Sequence, residues 1–164
     1  MLRLAAGLPR GSALVFRTFG AEGALNVAQT LRRLTWRRGV LLLISADAGL
    51  ARAVKADGVH LPERFVRRLP DLSGRGLLLT AAAHSPAAAR RALALGADAV
   101  VVSAVMPSQS PSAGKPIGLL PLALLARSLA GPVYALGGID ASNACRIAAT
   151  GVAGLAAVGA FVRP

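Results

Sequence analysis

Acidic side chains are scarce in this chain. Seven Asp and Glu stand against nineteen Lys and Arg, a formal net charge of +12 at pH 7. A general acid/base pair would have to be drawn from Asp47, Glu63, His60 and His84. There is one cysteine, Cys145, which excludes an internal disulfide and suits a reducing cytoplasm. Placed on a helix, it reads as inert packing. Aromatics make up 4 % of the chain, so the basic tracts lack the interleaved rings of a nucleic-acid surface. No apolar run exceeds the five residues of Val40–Ile44, far short of the roughly 20 needed to span a bilayer. No N-terminal signal pattern precedes it. Finally, no GxGxxG follows the first strand-like run, which disfavours a dinucleotide-binding fold.

Other features are abundant. The chain has 164 residues, 54 % apolar and only 16 % charged, enough for a sizeable core in one domain spanning 1–164. Arginines 32, 33, 37, 38, 67, 68, 90, 91 and 127 fall in helix-like segments. They read as a solvated outer layer of helices, with phosphorylated small molecules as the anionic partners.

Apolar strand-like runs alternate with helical segments. Leu8-Pro9-Arg10-Gly11 reads as a helix end and turn. Strands are expected at Ala13–Arg17, Val40–Ile44, Gly58–Leu61, Gly76–Thr80, Ala99–Ser103, Pro132–Leu136 and Val152–Val158. Between them lie helices at Ala21–Arg38, with Leu25, Ala28, Leu31 and Leu34 on one face and Gly39 as the stop, and at Ala48–Lys55. A basic helical turn runs to Leu69. Further helices are expected at Ser85–Leu95, with a Ser cap and Pro in the first turn, at Leu119–Ala130, and at Asp140–Ala149, capped by Asp140. Met106–Gly118 is a Ser/Pro/Gly loop. Strict alternation argues for parallel βαβ units, in a doubly wound sheet or a barrel. With no dinucleotide fingerprint, the barrel is favoured, with seven of its eight strands recognisable.

The segment from Ala97 to Phe161 shows where function lies. Its strand-like runs end in Ser103-Ala104, Gly137-Gly138 and Gly159-Ala160. Small residues past a strand end let backbone N–H groups approach a phosphate, and parallel α/β folds bind ligands at the carboxyl ends of strands. Two glycines before an Asp-capped helix therefore read as an anion site, or as a plain tight turn.

Taken in order, ADGVHLPE, GADAVVVSAVMPSQS, PVYALGGI and GVAGLAAVGAF resemble the thiamine phosphate synthase/TenI family over Leu14–Phe161. The resemblance implies a TIM-type (β/α)8 barrel of the thiamine phosphate synthase kind, here without a counterpart to the family's first strand. Such a chain is either an N-terminally shortened member or one whose true start lies upstream. The implied activity is thiamine biosynthesis: a transferase joins hydroxymethylpyrimidine pyrophosphate to thiazole phosphate, giving thiamine phosphate and pyrophosphate, with Mg²⁺ on the leaving group. The resemblance carries over to Arg17 and His84 as catalytic positions. Gly137, Gly138, Val158 and Gly159 become backbone donors to the substrate phosphate, and Ser108 and Ser110 the loop hydroxyls. Three departures stand out. Phe19 replaces a pyrophosphate-binding Lys, Ser45-Ala46 stand where the family carries Asn-Asp with the Asp on the metal, and His60-Leu61-Pro62-Glu63-Arg64-Phe65 replaces an HLGQxD run whose Asp is the second metal carboxylate. Asp47 and Glu63 are the remaining metal candidates, Asp47 equally a helix cap. Ala104 stands where the related thiazole tautomerases carry a histidine. Two alternatives stay open: a TenI-like barrel that binds a phosphorylated metabolite without synthase activity, and another phosphate-handling barrel enzyme such as an isomerase. The implied setting is cytoplasmic, with no nucleic acid or membrane partner and a possible homo-oligomer.

Overall fold

A computed structural model describes residues 2–18, 20–68, 76–108 and 114–158. It forms two compact units, Met1–Leu79 and Thr80–Pro164.

In the first unit, helix α1 (Leu2–Gly7) precedes strand β1 (Ala13–Phe16), helix α2 (Ala24–Arg38), strand β2 (Leu41–Ser45), helix α3 (Ala48–Ala53) and strand β3 (Gly58–Leu61), and a 3₁₀ turn covers Glu63–Arg68. The strands are parallel and in sequence order, with Ala13 opposite Leu41 and Leu43 opposite Gly58. From Leu42 onward β2 is buried on both faces, as its uninterrupted apolar run predicts. The core gathers Leu14, Phe16, Leu31, Leu42, Ile44 and Val59. Helix α2 ends at Gly39, whose φ of 66° places its N–H on the carbonyls of Thr35 and Trp36, a left-handed cap open to glycine without strain. Its buried stripe is Ala28, Leu31 and Thr35, while Leu25 is 46 % exposed. The expected face therefore holds at Ala28, Leu31 and the partly buried Leu34 and departs at Leu25, and Thr35 joins it because its hydroxyl donates back to the Arg32 carbonyl at 3.2 Å.

The second unit takes over within strand β4 (Leu78–Ala83) and continues through helix α4 (Pro86–Ala94), strand β5 (Ala99–Val102), helix α5 (Leu119–Ser128), strand β6 (Val133–Leu136), helix α6 (Ala144–Ala148) and strand β7 (Gly154–Ala156). Strands β4 to β7 are again parallel and in sequence order. The core is small-residue rich, with Ala81, Ala83, Ala89 and Ala92 fully buried beside Val100, Leu122 and Ile147. Ser85 caps α4, its hydroxyl accepting from the Ala88 N–H at 3.1 Å, with Pro86 at the first turn, as the sequence predicts.

Strand β7 is Gly154–Ala156 and not Val152–Val158, and helix α2 begins at Ala24 and not Ala21; β4 and α6 differ for identifiable reasons. Strand β4 runs Leu78–Ala83 and not Gly76–Thr80, because Gly76 adopts φ 63° and turns the chain just before it. Helix α6 begins at Ala144 and not at Asp140. The Asp140 carboxylate is used locally: it accepts from the Ser142 N–H at 2.8 Å and the Ser142 hydroxyl at 2.6 Å. Such a turn competes with helix initiation. Of the outer-layer arginines, residues 33, 37, 38, 90, 91 and 127 are exposed. No helix among the described residues is long and apolar enough to cross a membrane.

Candidate functional site

Each unit presents the carboxyl ends of its parallel strands, and the two sets of ends are built differently.

In the first unit they carry polar side chains. Arg17 follows β1 and is exposed. Ser45 closes β2, buried to 8 % exposure. Ala46 then takes φ 59°, and its N–H donates to the His60 carbonyl at 2.9 Å. Asp47, the next residue, caps α3: its Oδ1 accepts from the Leu50 N–H at 2.8 Å. His60, the penultimate residue of β3, is held neutral. Burial, with a smaller contribution from the Arg17 guanidinium, lowers its pKa from 6.5 to about 4. That coupling sets Arg17 within electrostatic reach of His60, a relation invisible in the sequence, where 43 positions separate them. A neutral imidazole beside a permanent cation adds no second positive charge at these strand ends. Glu63 opens the 3₁₀ turn, where the Arg64 guanidinium lies 4.7 Å from the Phe65 ring centre.

In the second unit the strand ends are shaped by backbone. After β5, the Ser103–Ala104 peptide is cis. The following residues bind to the end of β6: Val105 N–H donates to the Leu136 carbonyl and Met106 N–H to the Gly137 carbonyl, both at 3.0 Å. Ile117 and Gly118 return to the carbonyls of Ala104 and Val105, also at 3.0 Å. These bonds bring the loop hard against Gly137 and Gly138, which adopt φ of 101° and 65°. A Cβ on Gly137 would lie 3.0 Å from the Ala104 Cα, and one on Gly138 would strike the Pro107 carbonyl oxygen. The glycines therefore have a packing role in their own right. Past them, the Gly138 carbonyl accepts from Asn143 Nδ2 at 2.8 Å, and Asn143 Oδ1 accepts the Asp140 N–H at 3.0 Å. Among the described residues, the N–H groups of Gly138 and Ile139 meet no protein acceptor, as an anion-binding turn requires.

The remaining expected positions are distributed as follows. His84 is exposed at the end of β4, and the helix cap beside it is Ser85. Ser108 is half-buried in the loop after β5. Val158 is 75 % exposed. Ser110 and Gly159 lie outside the described residues, as does Phe19. Cys145, expected to be packed, is exposed, because α6 is short and buries only Ile147. Among the described residues, no group of three or more His, Cys, Asp or Glu side chains could hold a metal ion. Asn143 is the residue that sequence reasoning missed. The signal was present in Asp140-Ala141-Ser142-Asn143, an Asx turn leading into an Asn at the helix start.

Parallel strands alternating with helices, with polar side chains and glycine turns at the strand ends, define an α/β protein built of parallel βαβ units that binds its ligand at the strands' carboxyl ends. Comparisons with known proteins narrow this class. A family model described as thiamine monophosphate synthase matches residues 6–161. The chain is 35 % identical over 161 residues to the thiamine-phosphate synthase of Gloeobacter violaceus, covering 97 % of this chain and 47 % of that protein. It is 35 % identical over 148 residues to the thiamine-phosphate synthase of a Roseiflexus species, covering 87 % and 61 %. The solved structure of thiamine phosphate pyrophosphorylase from Pyrococcus furiosus superposes with a TM-score of 0.76 at 30 % identity, over 96 % of this chain and 75 % of that one. The chain belongs to the thiamine monophosphate synthase family, and its fold is of that kind. It spans about half to three fifths of the length of these two relatives.

Proposed function

We propose that the chain makes thiamine phosphate. In this reading the bond between the pyrimidine methylene and pyrophosphate breaks, and its electron pair leaves with pyrophosphate. The thiazole nitrogen lone pair then forms the new C–N bond, leaving a thiazolium cation. No proton moves, so the shortage of acid/base pairs is no obstacle. The observation that carries the reading is the family match, which runs from residue 6 to residue 161 through the strand ends of both units.

Each unit supplies one kind of charge stabilisation. Arg17, kept beside a neutral His60, meets the growing negative charge on the leaving group. The Gly138 and Ile139 N–H groups receive the thiazole phosphate, with the Gly138 carbonyl held aside by Asn143. His84 and Ser108 line their strand ends as further polar contacts.

Mg²⁺ ordinarily shares the charge of a leaving pyrophosphate. The residues described here do not fit it. The Asp47 carboxylate is spent on the α3 cap, and no group of three or more ligand side chains gathers among the described residues. The electrostatic work in this reading therefore falls to Arg17. The single cysteine accords with a cytoplasmic setting.

The test is direct. Purified chain is incubated with pyrimidine pyrophosphate and thiazole phosphate, with and without Mg²⁺, and thiamine phosphate is quantified. Product that falls at least tenfold in Arg17→Gln is expected. Thermal protection by thiazole phosphate with no product would reject transfer and leave phosphate binding as the function.

A further inference from the structure

At the opposite end of the first unit's strands lies a cavity of about 720 Å³, open to solvent, within the size range of small-ligand sites. It sits where β2 and β3 begin and Leu78 enters β4, away from Arg17, Asp47 and His60 at the strands' carboxyl ends. Its apolar lining comes from Leu41, Leu77 and Leu78, with Leu41 and Leu78 38 % and 39 % exposed. Its charged lining is three cations, Arg32, Arg52 and Lys55, and one carboxylate, Asp57.

The three cations are not equivalent. Arg32 is fixed. Its Nη1 lies 2.7 Å from Asp57 Oδ2, and the same oxygen accepts the Leu42 N–H at 2.7 Å. Asp57 also receives the Leu78 N–H on its carbonyl, at 2.9 Å, so the wall holding Arg32 is tied to two strand starts. Arg52 and Lys55 are exposed and make no ion pair among the described residues. Lys55 is unusual in a second way. It takes φ 53° just past the C-cap of α3, a place where glycine is the ordinary choice. The chain accepts that conformation with a lysine, which lines the cavity as Arg52 does.

We propose that this cavity is a second ligand site, for a small organic phosphate. Its apolar body lies on Leu41, Leu77 and Leu78, and its phosphate is held by Arg52 and Lys55 with Arg32 behind them. An ammonium and a guanidinium suit phosphate oxygens, and the apolar floor favours an organic ester over the free ion. The site is separate from the strand ends assigned to thiamine phosphate synthesis and does not depend on that assignment.

Adenosine diphosphate and inorganic phosphate serve as probes, titrated calorimetrically into the whole chain. Saturable ADP binding is expected, at least tenfold tighter than phosphate. Arg52→Gln and Lys55→Asn should each weaken it at least tenfold. Asn tolerates the left-handed backbone, and a circular dichroism spectrum identical to wild type confirms the fold. Arg17→Gln should leave ADP affinity within twofold, and Arg52→Gln should leave thiamine phosphate production unchanged. Three results would each overturn the proposal: no saturable ADP binding, phosphate binding as tightly as ADP, or ADP binding lost in Arg17→Gln but kept in Arg52→Gln.

Discussion

The two units end their strands in opposite ways. The first spends side chains: Arg17, Ser45, Asp47 and His60 follow or close β1, β2 and β3. The second spends backbone: Gly137 and Gly138 sit under a loop that crowds a Cβ at Gly137 and leaves no room for one at Gly138. A side-chain site is tuned by charge and tolerates substitution structurally. A backbone site is tuned by shape and tolerates almost none. The same change in ligand affinity should therefore come at very different costs in stability.

The largest expected effect is steric. Gly138→Ala forces a Cβ onto the Pro107 carbonyl at φ 65°. Left-handed strain and overlap together should cost on the order of 3 kcal/mol, read as a lower urea midpoint at unchanged slope. Arg17→Gln, on an exposed side chain, should stay within about 0.5 kcal/mol. If the two costs came out alike, the contrast between the units would fail.

The next effect is acid lability in the first unit. His60 titrates near 4 in the fold and near 6.5 when unfolded. Between those values the unfolded chain binds the extra proton, so stability falls as pH drops from about 6.5 towards 4, by up to about 3 kcal/mol. Denaturant titrations at pH 7.5 and 4.5 should show the loss in wild type and not in His60→Gln. Burial is the larger cause, so Arg17→Gln should raise the imidazole pKa only part of the way to 6.5, as followed by proton NMR.

Much of this architecture could be read in the sequence, and the failures share a cause. Strand β3 matches its expected bounds, and β2 is within a residue, because an apolar run between a glycine or serine and a turn admits little else. The caps at Ser85 and Gly39 were legible because one residue type satisfies each geometry. The start of α6 was misread because Asp140 suits a helix cap and an Asx turn equally, and only the Ser142 contact decides. The glycine pair was legible as a site, but its packing against Ala104 and Pro107 was not, since nothing local encodes contact across some thirty residues. The Arg17–His60 coupling was hidden for the same reason.

A smaller effect concerns Asp57, at the strand starts of the first unit. Asp57→Ala strips the acceptor from Arg32 and from the Leu42 N–H, with an expected loss of about 2 kcal/mol in thermal or urea unfolding. The smallest effect separates capping from metal binding. Asp47→Ala should cost about 1 kcal/mol and Asp47→Asn only a few tenths, because Asn caps as well as Asp. A metal ligand would instead lose product formation in both variants, and an activity assay on Asp47→Asn distinguishes the two roles.

The division of labour between side-chain and backbone strand ends is tested most directly by calorimetric titration of each substrate alone, in an Arg52→Gln chain so that the cavity at the strand starts does not contribute. Arg17→Gln should weaken pyrimidine pyrophosphate at least tenfold and leave thiazole phosphate within threefold. Gly138→Ala, with Asn143→Ala as a gentler way to free the Gly138 carbonyl, should weaken thiazole phosphate at least tenfold and leave pyrimidine pyrophosphate within threefold. If Arg17→Gln leaves pyrimidine pyrophosphate affinity untouched, or if thiazole phosphate binds both second-unit variants as well as wild type, the assignment of the two strand-end sets is wrong.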